Sequence, residues 1–357
     1  MKRKLFGCAI LVWCCFSAYS QDIHFSQFYE TPSLLNPALT GATNNLRASL
    51  QYRSQWGSVT VPYKTIAASF EMKLNQSNWE GQGSNANQVQ KKFVQGLAGG
   101  ISFFSDRAGD GNMGLTQVTL SVAEQVPLDD KNSLSVGLQG SLVQRSIDYS
   151  KLIWPNQYNG TGYNTNINPG EDLSSSDFIY GDYVGGLLWT YGKGEMYMTA
   201  NDEVKANAGI SFYHLGKVRE NYFSNKSEIL NTRFVIHGGM VFGVKNSTLD
   251  IAPSFLLNFQ GPAKEIIFGS LFKYNLREDS KFTGNIKSAF VSIGGYYRNN
   301  DAIIPTFLLE MGQYAFGISY DLNVSGLKTA SNYRGGVEIM LRFVGSSSYL
   351  YQNKTRF

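Results

Sequence analysis

The chain has 357 residues, 16% of them charged, with 37 glycines, 21 tyrosines, 23 phenylalanines and a formal net charge of +4. It carries no Lys/Arg-rich run that would make a phosphate-binding stripe, which argues against a nucleic-acid partner. After residue 20 no stretch approaches the roughly 18 consecutive apolar residues of a membrane helix, so the chain is either a membrane protein built of strands or a secreted all-β protein.

The first residues indicate export. Lys2, Arg3 and Lys4 are followed by an apolar stretch from Leu5 to Phe16, and Ala18 and Ser20 occupy small-residue positions before Gln21. This is the pattern of a secretory signal peptide, with cleavage expected after Ser20. Its apolar core of 12 residues is too short to anchor, since a spanning helix needs ~20. Cys8, Cys14 and Cys15 all fall inside it, so the mature chain of 357 − 20 = 337 residues has no thiol for a disulfide, a metal or catalysis. Loss of the three basic residues also lowers the formal charge from +4 to +1.

Residues 21–46 are not strand-like. Asn36 before Pro37 favours a turn, and Gly41 can supply a positive φ just before the first strand. From Arg47 onward the pattern changes to a period of two. Ala48, Leu50, Tyr52 and Trp56 alternate with Arg47, Ser49, Gln51, Arg53 and Gln55. Ile66, Ala68, Phe70 and Met72 oppose Thr65, Ser69, Glu71 and Lys73, and Leu134, Val136 and Leu138 oppose Ser135, Gly137 and Gln139. Near the end, Val337, Ile339, Leu341 and Phe343 oppose Gly336, Glu338, Met340 and Arg342.

Alternation over about ten residues matches tilted membrane-spanning strands, whereas strands of soluble sandwiches average about 5–6 residues. The charges in mid-strand belong in a wet lumen, because facing lipid each would cost several kcal/mol. The pattern gives about fourteen segments: 47–56, 63–74, 93–104, 116–127, 133–145, 180–191, 206–213, 232–242, 248–259, 264–275, 286–297, 301–311, 314–323 and 334–344. The expected fold is therefore all-β, a transmembrane antiparallel β-barrel in an outer membrane.

An even strand count returns both chain ends to the periplasmic side. Asp129–Asn132, Gly243–Ser247 and Gly312–Gln313 then become short periplasmic turns, and 146–179 and 214–231 become surface loops. The connection from Asn75 to Lys92 breaks this rule, being long yet periplasmic. Residues 21–46 either tuck into the lumen or lie on the periplasmic face. Trp56, Trp189, Tyr191, Tyr296, Tyr297 and Tyr320 fall near strand ends and are expected in the interfacial girdles of the barrel.

Catalytic signals are poor. Gly109-Asp-Gly-Asn-Met-Gly114 matches G-x-G-x-x-G, but a strand-like segment follows it where a dinucleotide site needs a helix. It reads better as a glycine-rich hairpin loop. Asp106, Asp110 and Asn112 lack the ligand spacing of a calcium loop. His24, His214 and His237 are scattered, with no metal-binding spacing. No G-x-S-x-G elbow marks a nucleophile. No enzyme activity, metal or cofactor is expected.

The stretch from Gln21 runs Q-D-I-H-F-S-Q-F-Y-E-T-P-S-L-L-N-P-A-L-T-G, and the first strand ends Y-R-S-Q-W. This resembles the mature N-terminus of the PorP/SprF family of type IX secretion membrane proteins. The matching residues are Phe25, Ser26, Gln27, Tyr29, Asn36, Pro37, Gly41, Tyr52, Arg53, Gln55 and Trp56. The stretch from Phe104 through Asp106 to Gly109 resembles an aromatic, charged, Ala-Gly loop of the same family. The resemblance implies a role in secretion and gliding. It makes these residues, with Asp106 and Gly109, candidates for partner binding or for the family's own architecture.

Implied partners are a secreted adhesin or other type IX cargo, held through its C-terminal domain, and periplasmic or outer-membrane secretion components, within outer-membrane lipid. The rival reading is a 14-stranded transporter for a small solute, because barrels of that size lie between filled and open ones. The chain divides into a signal peptide (1–20), an N-terminal periplasmic or lumenal segment (21–46), the barrel (47–344) and a tail (345–357).

Overall fold

A computed structural model describes residues 24–58, 61–74, 96–170, 177–193, 201, 203–223, 226–277, 288–326 and 328–345. The expected signal peptide, the long connection from Asn75 and almost all of the tail lie outside them. Among the described residues, fourteen strands close into one antiparallel barrel. These are β1 (Leu46–Gln55), β2 (Tyr63–Lys73), β3 (Gly96–Ala108), β4 (Met113–Pro127), β5 (Asn132–Ser146), β6 (Asp177–Lys193) and β7 (Val204–Tyr213). After a separate hairpin of β8 (Arg219–Phe223) and β9 (Lys226–Ile229) come β10 (Arg233–Gly243), β11 (Leu249–Gln260), β12 (Ala263–Arg277) and β13 (Ala289–Arg298). The circuit ends with β14 (Ala302–Met311), β15 (Tyr314–Asn323) and β16 (Arg334–Gly345). Each barrel strand pairs with its barrel neighbours in sequence, and β1 pairs with β16 to close the seam, Arg53 opposite Glu338.

The barrel is inside-out relative to a soluble protein. Leu120 and Leu138 are 62% and 67% exposed, while their neighbours Ser121 and Gln139 are buried. Adjacent residues of a strand point to opposite faces, so one register choice puts a whole alternating set of apolar residues toward lipid. Cross-strand rows make the outward band continuous, as in Leu50, Ala68, Phe103, Val118 and Leu142.

All fourteen expected strands have counterparts, with differences that have physical causes. Strand β3 runs to Ala108, so most of the stretch expected as a loop from Phe104 is strand and only Gly109 belongs to the turn. Ser105 and Arg107 keep the outward parity and Asp106 the inward parity, even though hydrophobicity has stopped alternating there. The expected surface loop 214–231 contains the β8–β9 hairpin. Tyr296 is not a girdle residue: it is 3% exposed and faces the lumen, because Tyr297 beside it takes the outward position.

The lumen is not uniformly wet and polar. One wall carries inward Val235, Leu256, Ile267, Leu271, Tyr296 and Ile304 in a single buried apolar cluster. The N-terminal segment covers this wall and thereby supplies the core.

At the rim that holds both ends of the barrel, the turn between β4 and β5 is organised by Asp129. Its carboxylate accepts from the N–H groups of Lys131 and Asn132, both at 2.7 Å. The Lys131 N–H, then the Asn132 side chain, hold this carboxyl below the ordinary aspartate range.

Candidate functional site

Residues 24–45 lie in the lumen before the chain enters β1. The segment folds as a 3-10 turn (Phe28–Glu30), one helical turn (Pro32–Leu35) and a second 3-10 turn (Pro37–Leu39). Both prolines sit at a first helical position, where a missing N–H removes no bond. Asn36 joins the last two turns in an extended conformation, its Oδ1 accepting from the Ala38 N–H at 2.9 Å. Gly41 has φ +65° and redirects the chain toward β1.

Charge holds the start of the segment. The Glu338 carboxylate on β16 accepts the N–H groups of Ser26 and Gln27 at 2.7 and 2.8 Å. Ser26 Oγ donates to Asp321 Oδ1 at 2.8 Å and accepts from Arg298 Nη2 at 2.6 Å. Arg53 donates to the His24 carbonyl and pairs with Asp321 at 2.8 Å. His24 Nε2 lies 2.9 Å from Glu265 Oε1. These wall residues come from β1, β12, β13, β15 and β16, so the cluster ties the segment to both strands of the seam. Burial of so many charges is tolerable only because each is paired.

A second charged group lies further along. Glu30 is buried and bonds Arg47 of β1 at 2.8 Å and Arg342 of β16 at 2.6 Å. Arg342 in turn pairs with Glu310, which pairs with Lys273 at 2.7 Å.

The middle of the segment is held by shape. Asn36 Nδ2 reaches the carbonyls of Leu187 and Ile210 at 2.9 and 3.2 Å, with His237 Nε2 at 3.1 Å. This approach requires Gly186 and Gly209 on the wall. A Cβ on Gly209 would lie 2.7 Å from Asn36 Nδ2, and one on Gly137 would lie 2.6 Å from Ala38 Cα. Wall hydroxyls satisfy the segment's carbonyls: Ser135 donates to Ala38 O and Ser211 to Leu35 O, each at 2.8 Å. Gly41 N–H donates to Glu71 at 2.9 Å. Phe28 and Leu35 enter the apolar wall cluster, while Phe25 meets Phe104 edge-on at 6.3 Å.

The residues expected as a partner-binding set therefore separate into three places. Phe25, Gln27, Tyr29, Asn36, Pro37 and Gly41 form the lumen segment, with Arg53 and Asp106 inside on the wall; Asp106 accepts from Thr65 Oγ1 at 2.6 Å. Tyr52 has the outward parity of β1, opposite Ile66 and Ile339. Gln55, Trp56 and Gly109 lie at strand ends, with Trp56 at φ +54° against the Tyr63 ring at 5.0 Å, and Gly109 at φ +66°. The sequence reading missed Glu30, Arg298, Asp321 and Glu338 as anchors. A signal for a covered wall was present in paired apolar residues such as Ile266-Ile267 and Ile303-Ile304, which no wet lumen would require.

The sequence matches the family model described as type IX secretion system membrane protein PorP/SprF over residues 17–343. No curated protein matches it. Among solved structures, the β domain of the Bordetella autotransporter BrkA aligns with 85% of this chain and 99% of its own, at 8% identity and TM-score 0.40. The CymD monoaromatic hydrocarbon channel aligns with 90% of this chain and 93% of its own, at 10% identity and TM-score 0.41. The NanC porin covers 84% of this chain and 99% of its own, at 10% identity and TM-score 0.31.

Proposed function

The chain belongs to the type IX secretion system membrane protein PorP/SprF family, and from that premise we propose that it supports export or surface anchoring of a secreted protein by binding that protein's C-terminal domain. It is an outer-membrane β-barrel, and in this reading it works as a filled platform rather than as a conduit. The observation that carries the reading is the lumen segment, tied by Glu338, Asp321 and Arg53 at one end and seated on Gly137 and Gly209 in the middle. A small-solute transporter would need that segment to leave.

The signal peptide is cut after Ser20 in this reading, leaving the lumenal segment, the barrel and a short tail. The rim with the longer connections faces outward and meets the cargo. The 147–170 connection suits such contact, since Ile153, Tyr158 and Tyr163 are 60%, 52% and 58% exposed. The opposite rim meets other secretion components.

The test is purification of the tagged protein from native outer membranes in mild detergent, followed by mass spectrometry. Stoichiometric recovery of one large exported protein, and its loss from the surface of a deletion strain with normal solute uptake, is the expected result. Repeated recovery of the barrel alone, with a specific uptake defect on deletion, would replace the platform with a transporter.

A further inference from the structure

The outward face of β1 to β5 changes character toward the loop rim, in register across the strands. The row Leu50, Ala68, Phe103, Val118 and Leu142 is apolar, with Leu142 67% exposed. One step nearer the rim the row reads Tyr52, Ile66, Ser105, Thr116 and Gln144. The next row is Ser54, Lys64, Arg107, Gly114 and Ser146, ending against Asp177 of β6. Successive outward rows are about 6.6 Å apart along a strand, so lipid-facing side chains give way to hydroxyls and an amide, and then to cations, over roughly 13 Å.

Lys64 and Arg107 are directly opposite on neighbouring strands, and both are exposed. Like charges so placed repel each other unless an anion lies between them. Neither has an acidic ion-pair partner among the described residues. The Arg107 guanidinium lies over Gly114, where a Cβ would occupy its place, and is held by Ser146 Oγ at 3.2 Å. Beside Ser54 the row opens into a cleft of about 280 Å³ that Ser58, Tyr320 and Arg334 also line, which adds a third exposed cation. The opposite wall has no such cluster: its outward side chains near the loop rim include the apolar Phe259 and Ile303, and its cation Lys264 stands opposite Phe259 rather than opposite a second cation.

We propose that Lys64 and Arg107 form a binding site for the phosphate of a lipid A-type glycolipid of the outer leaflet, with Arg334, two strands from Lys64 across the Ser54 cleft, as a further cation of the same rim. Its acyl chains lie on the Leu50–Leu142 row, and its sugar hydroxyls face Ser105, Thr116 and Gln144. The proposal rests on the loop rim facing outward and is independent of which cargo the barrel holds. Basic residues at a membrane surface attract anionic headgroups in this way.

The test uses the full chain in neutral detergent, titrated with bisphosphorylated lipid A and read by native mass spectrometry. Phosphorylated lipid A is expected to bind. The Lys64→Gln/Arg107→Gln double variant should bind roughly thirty-fold more weakly, as two surface cations would be lost. Lys64→Arg/Arg107→Lys and the opposite-wall control Lys264→Gln should bind as the parent does, and the heat-modifiable gel shift confirms that each variant is a closed barrel. Equal binding by the double variant, equal binding of dephosphorylated lipid A, or full competition by millimolar inorganic phosphate would overturn the site.

Discussion

Replacing Glu338 by alanine tests whether the lumen segment is latched from the seam. The carboxylate accepts the N–H groups of Ser26 and Gln27 at 2.7 and 2.8 Å, and Ser26, Gln27 and Glu338 are essentially without solvent access. Alanine leaves two buried donors without partners, at about 1–3 kcal/mol each, or about 2–6 kcal/mol together. It also removes the carboxylate facing Arg53, whose Nε lies 3.9 Å away. Phe25, Phe28 and Leu35 remain buried and contribute about 1.5–3 kcal/mol each, so the segment should loosen at its start without leaving the barrel. Even the lower bound of ~2 kcal/mol raises the open fraction about thirty-fold. The assay is hydrogen exchange by mass spectrometry on the folded protein, following the peptide that carries Ser26 to Glu30 and, as an internal control, one around Asn36. Unchanged exchange near Ser26 in a folded variant would refute the latch, and equal acceleration at both peptides would show that the segment moves as one piece.

Three further outcomes follow from the geometry. Gly137→Val places side-chain atoms where the Ala38 backbone lies, so the middle of the segment should be unseated; single-barrel conductance should rise above that of the parent, and an unchanged conductance would argue against the seat. His24→Cys, the sole cysteine once a signal peptide ending at Ser20 is removed, should react with an impermeant maleimide on intact cells, because His24 is partly exposed beside Glu265 and Arg298 at the loop rim. Labelling that needs permeabilised cells would reverse the orientation. The Asp129 carboxyl is depressed in the folded turn, so its contribution is present above the unfolded value of about 3.9 and lost as pH falls through the lower folded value. Amide resonances of Lys131 and Asn132 should titrate together in that acid range and not in Asp129→Asn.

The strands were legible because lipid on one side and protein on the other impose a two-residue period, as in Leu134 to Gln139. That signal weakens where a strand rises above the lipid, which is why β3 extends through Asp106 and Arg107 beyond the expected 104. It also weakens where the lumen is lined with apolar groups, as at Ile266-Ile267. The segment 24–45 was legible as a non-strand piece with a turn at Asn36 and a positive φ at Gly41. Its place in the lumen was not, because Glu338 and Asp321 on the last strands select that place, some 300 residues away along the chain. A local pattern carries no information about such partners. Asn36 and Pro37 were readable first as a turn and second as a contact surface; the structure shows the turn, with Asn36 Oδ1 accepting from the Ala38 N–H, and a wall contact through Asn36 Nδ2 to the Leu187 and Ile210 carbonyls.

The positions of the anchors bear on how the barrel closes. Seam pairing sets Arg53 of β1 opposite Glu338 of β16, and the lumen segment bonds both. Glu30 repeats the arrangement lower on the same seam with Arg47 and Arg342. The first described residues of the chain therefore bridge the first and last strands of the barrel. The contacts of Ser26 and Gln27 with Glu338 span 312 and 311 residues, and contacts of such high sequence separation are slow to form. Without β16, Glu30 lacks Arg342 and the Ser26 and Gln27 amides lack Glu338. The lumen segment thus stitches the seam from inside at two levels, Ser26 and Gln27 near the loop rim and Glu30 below them, so that loosening the segment and loosening the seam draw on the same bonds.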